Sequence, residues 1–127
     1  MAEEGIKGLA HIGIITANVD VSRKFYESLG FKLLEDLIQP NGKPVIFMGA
    51  KNAVLEIYET EPVNRSGTID HVALDVADIE VIWKKVQALG YEALEGKIQD
   101  LDFGVRKIRY FTISGPGKEK IEFSENA

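Results

Sequence analysis

Cysteine is absent from the 127-residue chain, which excludes disulfides, thiolate metal ligands and a cysteine nucleophile. Basic residues are outnumbered, because 15 Lys and Arg face 20 Asp and Glu for a formal net charge of −5. The chain therefore has no excess of positive charge to attract nucleic acid or anionic membranes, and we expect neither as a partner. The acidic opening MAEEG lacks a basic region followed by an apolar run, and no apolar stretch reaches membrane-spanning length. We expect a cytoplasmic protein.

Histidine is also scarce, and the two histidines of the chain reveal an internal repeat. The segment Leu9–Leu34, LAHIGIITANVDVSRKFYESLGFKLL, aligns without a gap on Ile69–Leu94, IDHVALDVADIEVIWKKVQALGYEAL. At this constant offset of 60 positions, His11 falls on His71. The length suits one domain, so the repeat predicts two related halves of a single domain.

Each copy of the repeat predicts the element order βαβββ. Alternating apolar residues predict the strands, and apolar residues at helical spacing predict one helix in each copy. The predicted buried stripes are Val21, Phe25 and Leu29 in the first helix, and Ile79, Ile82, Trp83, Val86 and Leu89 in the second. The predicted strands are Leu9–Thr16, Phe31–Ile38, Val45–Met48 and Ala53–Tyr58, then Ile69–Val76, Tyr91–Leu94, Val105–Ile113 and Glu119–Ser124, with a polar loop at Gly96–Gly104.

These elements predict an α+β fold of two tandem βαβββ modules in a single domain over residues 1–127. Module one spans about 7–60, a polar linker about 61–67, and module two about 68–125. Each helix is expected to cover the apolar face of its own sheet. Two such sheets side by side are expected to form a cupped, half-barrel mixed sheet with the helices outside.

Ligand-type side chains are predicted on the open face of each sheet. Strand alternation places His11 on one face with Glu56 in module one. It places His71 on one face with Glu122 in module two, where Asp75 shares that face as an outer support or a solvated residue. Two imidazoles and two carboxylates suit one divalent ion with open coordination positions, with Ni, Zn, Co or Mn as candidates.

Four segments carry a family resemblance: AHIGIITANVDVSRKFYESLGFKLLED, VLEIYE, IDHVALDV and GPGKEKIEF. They resemble the vicinal oxygen chelate superfamily, which includes glyoxalase I, methylmalonyl-CoA epimerase, extradiol dioxygenases, and the fosfomycin and bleomycin resistance proteins. The resemblance covers nearly the whole chain. Its implied metal ligands, most similar to the set of glyoxalase I, are His11, Glu56, His71 and Glu122.

The resemblance to glyoxalase I implies a metal-dependent lyase or isomerase. Such an enzyme moves a proton next to a carbonyl through a metal-stabilised enediolate. The resemblance places the catalytic carboxylate at Glu122, with Glu56 as the second candidate. The glutathione signature is missing, because Ile14–Thr16 stands where an arginine is usual and Glu59–Glu61 stands where an asparagine is usual. The usual DPDG turn is Gly115–Lys118 here.

Three other functions stay open at this point. One is a metal-free protein that binds a small molecule such as an antibiotic in the same cup. Another is an acyl-CoA epimerase, although epimerases usually carry glutamine at the position of Glu56. The third is an Fe(II) ring-cleaving dioxygenase that uses His11, His71 and Glu122 as a facial triad.

Two further expectations concern partners. Lys107 and Arg109 share a strand face, so we expect them either to bind a substrate anion or to be two solvated cations. A small-molecule substrate is expected in either case. The open edges of two half-barrels predict a homodimer.

Overall fold

The protein folds into two compact units, Met1–Pro62 and Val63–Ala127. This computed structural model describes residues 5, 9–61, 69–102 and 107–126, so all but the first residue of the predicted linker lies outside the described residues. The first unit contains β1 (Ile12–Thr16), α1 (Val19–Ser28), β2 (Lys32–Ile38), β3 (Pro44–Ala50) and β4 (Ala53–Glu59). The second contains β5 (Val72–Asp75), α2 (Ile79–Ala88), β6 (Gln99–Asp102), β7 (Lys107–Ser114) and β8 (Lys120–Asn126). The predicted α+β fold of two tandem βαβββ modules is confirmed.

The two sheets have the same topology. Their strand orders are β1-β4-β3-β2 and β5-β8-β7-β6. In each unit the first strand pairs in parallel with the last, and the other neighbours are antiparallel. The last strand of each unit is therefore a central strand with a partner on both sides, which fixes its register and the direction of its side chains.

The central strands alternate as predicted. In β4, Leu55 and Ile57 are almost fully buried on the side of α1, and Glu56 between them points to the opposite face. In β8, Ile121 and Phe123 are buried on the side of α2, and Glu122 points away from it. Burial of these apolar neighbours fixes the face on which each glutamate lies, because a slip of one residue would expose them.

Local signals mark the beginning and the end of both helices. Asn18 caps α1 by accepting a hydrogen bond from a first-turn N–H, and Asp78 caps α2 in the same way. Gly30 and Gly90 follow the helices with φ of 101° and 86°, in the left-handed region where glycine has no steric penalty. Among the described residues, no helix is long and apolar enough to cross a membrane.

The buried stripe of α1 differs from the prediction. Val21 is 50% exposed, whereas the buried residues of the helix are Val19, Ser22, Phe25 and Tyr26. Ser22 is polar, so hydropathy alone does not mark it as a core position. Its hydroxyl lies 2.7 Å from the Thr16 hydroxyl, and this hydrogen bond makes its burial tolerable. In α2, Ile79 and Val86 are fully buried as predicted, but the predicted core residue Leu89 is 41% exposed.

The predicted strand Tyr91–Leu94 is wrong. These residues form turns and irregular backbone, and strand β6 lies inside the segment that was predicted as a polar loop. Gln99–Asp102 form a strand because they pair with the free edge of β7. Leu94 donates one backbone hydrogen bond to Thr112 and continues no further ladder. Tertiary pairing decides strand formation for short segments of weak pattern.

A glutamate near the end of each central strand holds the start of the helix in its own unit. Glu59 accepts a hydrogen bond of 3.0 Å from the Val19 N–H, and Glu125 accepts one of 2.7 Å from the Ile79 N–H. Both N–H groups are in the first turn, where no intrahelical partner exists. The negative charge is also favourable at a helix N-terminus. These contacts tie the helix to the strand in both units.

We expect Glu59→Ala and Glu125→Ala each to lower the free energy of unfolding by about 0.5–2 kcal/mol, the range for a lost helix cap. Urea unfolding followed by circular dichroism measures this change. Glu92→Ala is the control, because Glu92 is exposed and lies outside helices and strands. It should change stability by less than about 0.5 kcal/mol. Equal unfolding midpoints for all three variants would show that the two contacts contribute nothing.

Candidate functional site

In the first unit, the structure brings His11 and Glu56 together on the face opposite α1. His11 Nε2 lies 3.6 Å from Glu56 Oε1, and the two side chains are 41% and 32% exposed. Gly13 is the lateral neighbour of Glu56 in the parallel ladder, and strand alternation from Gly13 puts His11 on the same face. The rings of His11 and Phe47 make an edge-to-face contact, with their centroids 5.5 Å apart. Both polar groups are therefore ordered and open to a ligand.

The second unit repeats this arrangement with His71 and Glu122. His71 Nε2 lies 3.4 Å from Glu122 Oε1. Glu122 is only 18% exposed, so it is more enclosed than its counterpart in the first unit. Ala73 is its neighbour in β5, and Thr112 is its neighbour in β7. Each unit thus presents one imidazole and one carboxylate, as the repeat predicts.

The environment of Glu122 changes its acidity. Burial raises the pKa of the Glu122 carboxyl above its ordinary value, His71 partly offsets this rise, and the charge of Glu95 adds to it. Glu95 is held in place because its carboxylate accepts a 2.8 Å hydrogen bond from the Thr112 N–H at the edge of β7. Sequence reasoning missed Glu95, because it belongs to an irregular segment without a period. A raised pKa makes Glu122 a stronger base than an exposed glutamate.

A carboxylate also contacts the other nitrogen of His71. Asp70 Oδ2 lies 3.0 Å from His71 Nδ1, and Asp70 Oδ1 lies 3.1 Å from Lys120 Nζ. The sequence left Asp75, which shares the face of His71 in a strand, as either a support of this kind or a solvated residue, and the structure leaves it exposed. Asp70 precedes β5, so strand alternation does not govern its direction, and its adjacency to His71 is the one signal that could have found it.

The distance between the two donor atoms within each pair is compatible with two ligands of one divalent ion. Two donor atoms bound at about 2.1 Å to one tetrahedral ion lie roughly 3.4 Å apart, close to the separations in the two pairs. Imidazole nitrogen with carboxylate oxygen is a donor set that Zn, Ni, Co and Mn accept. Among the described residues of each unit, no three His, Asp or Glu side chains form a group that could hold a metal ion. One unit alone therefore offers two candidate ligands.

Lys107 and Arg109 lie on the other face of their sheet. Arg109 donates to Glu80 of α2 at 2.9 Å and to Asp100 of β6 at 3.1 Å, which directs it to the helix side. Lys107 shares that side by strand alternation, whereas Glu122 points to the opposite one. They line a shallow pocket of about 230 Å³ together with two aspartates. The guanidinium thus binds two carboxylates on the face of the sheet opposite to Glu122, and the structure does not bring this pair together with His71 and Glu122.

The chain is similar to one described family along most of its length. The family model described as the Glyoxalase/Bleomycin resistance protein/Dioxygenase superfamily matches residues 8–123. The match includes both His–Glu pairs. No curated protein matches the chain.

Solved structures share the fold. A glyoxalase family protein from Enterococcus faecalis is 23% identical, with a TM-score of 0.77 over 94% of this chain and 98% of that one. A glyoxalase/bleomycin resistance protein/dioxygenase from Alicyclobacillus acidocaldarius is 16% identical, with a TM-score of 0.74 over 94% and 92%. The fosfomycin resistance protein FosX from Listeria monocytogenes, solved with Mn(II) and sulfate, is 15% identical, with a TM-score of 0.72 over 97% and 95%.

Proposed function

Because the chain belongs to the Glyoxalase/Bleomycin resistance protein/Dioxygenase superfamily, we propose that it is a metal-dependent lyase or isomerase of glyoxalase I type. It transfers a proton next to the carbonyl of a small-molecule substrate. The observation that carries this proposal is the repeated pair of an imidazole and a carboxylate at 3.6 and 3.4 Å, on the open face of each sheet. FosX, solved with Mn(II), supports a divalent metal in a relative of this fold.

One divalent ion is proposed to bind to both pairs together. Each pair offers two donors, and an ion of this kind takes four or more ligands, so the pairs complement each other. When bound, the ion acts as a Lewis acid that polarises the substrate carbonyl oxygen. Ni, Zn, Co and Mn are the candidates for the ion. The proposed ligands are His11, Glu56, His71 and Glu122.

Glu122 is the proposed base. It removes the proton from the hydroxyl-bearing carbon next to the carbonyl and returns it to the former carbonyl carbon. The hydroxyl proton passes to the former carbonyl oxygen, so that substrate and product are isomers. Two observations support this role over Glu56: its pKa is raised by burial, and its side chain is 18% exposed against 32%. Partial enclosure also limits exchange of the transferred proton with water.

The test combines metal analysis with an activity screen. The purified protein is analysed for bound metal, stripped with a chelator, and reloaded separately with Ni, Co, Zn or Mn. Each form is assayed with acyl-CoA epimers and with adducts of methylglyoxal to several thiols, because the usual glutathione signature is missing. We expect turnover that depends on the metal. Ligand binding without metal or turnover would support a metal-free small-molecule binding protein instead.

A homodimer is the expected assembly. Strands β1 and β2 are the outer strands of the first sheet, and β2 exposes Leu34 and Ile38 by 54% and 69%. Outer strands with exposed apolar side chains favour association. Sedimentation velocity should give twice the chain mass of 14.1 kDa at micromolar concentration. A sedimentation coefficient that corresponds to a monomer, and that does not change as the protein concentration is raised, would reject the dimer.

A further inference from the structure

We propose that Asp70, held by Lys120, is a positioning residue that keeps His71 in the tautomer with the proton on Nδ1 and the lone pair on Nε2. The inference deepens the proposed function and rests on it, because it explains how one of the four proposed ligands becomes competent to bind metal. It is carried by contacts on both sides of one imidazole ring.

The first step is the contact of Asp70 with the ring. Asp70 Oδ2 lies 3.0 Å from His71 Nδ1. An ionised carboxylate only accepts hydrogen bonds, and one faces each ring nitrogen. Asp70 is 3.0 Å from Nδ1 and Glu122 is 3.4 Å from Nε2, so the shorter contact favours the proton of a neutral imidazole on Nδ1. The lone pair is then on Nε2, which faces Glu122 at 3.4 Å. Only a nitrogen with a free lone pair can bind a metal ion, and this one points to the proposed partner ligand.

The second step is the support of Asp70 itself. Lys120 is the first residue of β8, two residues before Glu122, and its Nζ lies 3.1 Å from Asp70 Oδ1. The cation favours the ionised carboxylate and ties the segment before β5 to the start of β8. Asp70 and Lys120 are 50% and 41% exposed, so this contact contributes orientation more than stability. The carboxylate is thus held with one oxygen on the lysine and the other on the ring.

The first unit supplies an internal comparison. Ala10 occupies the repeat-equivalent position of Asp70, so no carboxylate precedes His11. The ring of His11 is placed by its edge-to-face contact with Phe47, which selects an orientation but no tautomer. The two histidines should therefore differ: Asp70 holds the Nδ1 side of His71, whereas the ion pair of His11 among the described residues joins its Nε2 to Glu56 at 3.6 Å.

The tautomers of both rings are measured by long-range proton–nitrogen correlation in the metal-free, nitrogen-15-labelled full chain, at a pH where both imidazoles are neutral. We expect His71 to have its proton on Nδ1. Asp70→Ala should shift His71 toward a mixture dominated by the Nε2 proton, the form that dominates free imidazole, and leave His11 unchanged. Asp70→Asn should retain the Nδ1 proton, because the amide oxygen can still accept it.

Metal affinity is the second readout, measured by competition with a chromogenic chelator and Mn or Zn alone. Asp70→Ala should weaken binding by about 10–100-fold, the usual effect of losing a partner of a ligating histidine. Asp70→Asn should recover part of this loss. Asp75→Ala is the matched control, since it removes an exposed acid near the same histidine and should leave the tautomer and the affinity unchanged.

The outcomes separate this proposal from the proposed function. If the protein binds metal but neither the tautomer of His71 nor the affinity responds to Asp70→Ala, the positioning role is overturned and the function stands. If the tautomer responds but no variant, nor the unmodified chain, binds metal, the positioning role stands and the metal-dependent function is overturned. Circular dichroism melting curves confirm that each variant is folded.

Discussion

Glu122→Gln should leave a metal-binding protein with little turnover. Glutamine keeps an oxygen that can coordinate a metal ion, but it lacks the negative charge and the basicity of the carboxylate. We expect kcat to fall by about 10²–10⁴-fold, the contribution of a positioned acid–base group. Metal affinity should fall much less. Steady-state kinetics on the substrate found by the screen, with metal content measured on the same sample, test both effects.

Glu56→Gln is the matched control at the carboxylate of the corresponding central strand, β4. Glu56 is more exposed than Glu122, and only Glu122 has a pKa raised by burial. The loss of turnover should therefore be milder. If Glu56→Gln is the more damaging variant, the two roles are reversed. If neither variant changes ligand affinity and no turnover exists to lose, the protein is a binding protein.

Stability supplies an independent check that Glu122→Gln is folded. Burial raises the pKa of Glu122, so the folded metal-free protein binds this proton more tightly than the unfolded chain. Its contribution to stability is then fully present below the ordinary pKa of glutamate and is lost as the pH rises through the raised value. Glutamine carries no such charge, so the metal-free variant should unfold at the same temperature as the unmodified chain at neutral pH, or higher.

Substitution of either histidine should remove the metal, although the two lie in different units. We expect the unmodified protein to bind one divalent ion per chain, because one site needs donors from both pairs. His11→Ala and His71→Ala should each lower the affinity by more than about 100-fold, which exceeds the loss expected for an outer-shell partner. Turnover should disappear with the ion. Atomic emission analysis after dialysis gives the stoichiometry.

The stoichiometry also distinguishes a shared site from two separate ones. If each pair bound its own ion, the unmodified chain would hold two ions and each single variant would retain one. The shared site predicts near-zero occupancy in both variants at the same free metal concentration. An Asp75→Ala chain, dialysed in parallel, controls for loss of an acidic side chain outside the proposed ligand set. Retention of one ion per chain in either variant would contradict the shared site.

Much of the fold follows from patterns within short segments. Strand alternation has a fixed period of two, so the faces of Glu56 and Glu122 follow once their apolar neighbours are known to be buried. The same alternation puts a histidine on the face of each glutamate, and the structure pairs His11 with Glu56 and His71 with Glu122. Helix caps and terminal glycines are equally local signals, and they bound the helix in both copies.

The sequence by itself determined the βαβββ repeat and the face on which each candidate ligand lies, because both follow from fixed local periods. Only the tertiary structure decided which side chains surround those ligands. Asp70 and Glu95 belong to irregular segments without a period. Lys120 of β8 holds the Asp70 carboxylate beside His71, and the Thr112 N–H of β7 holds Glu95 where its charge acts on Glu122. The tertiary structure also decided which side chains lie away from the candidate ligands. Glu80 of α2 holds Arg109 on the face of the sheet opposite to Glu122. Contacts between segments far apart in the chain depend on packing and long-range pairing, which local patterns do not encode.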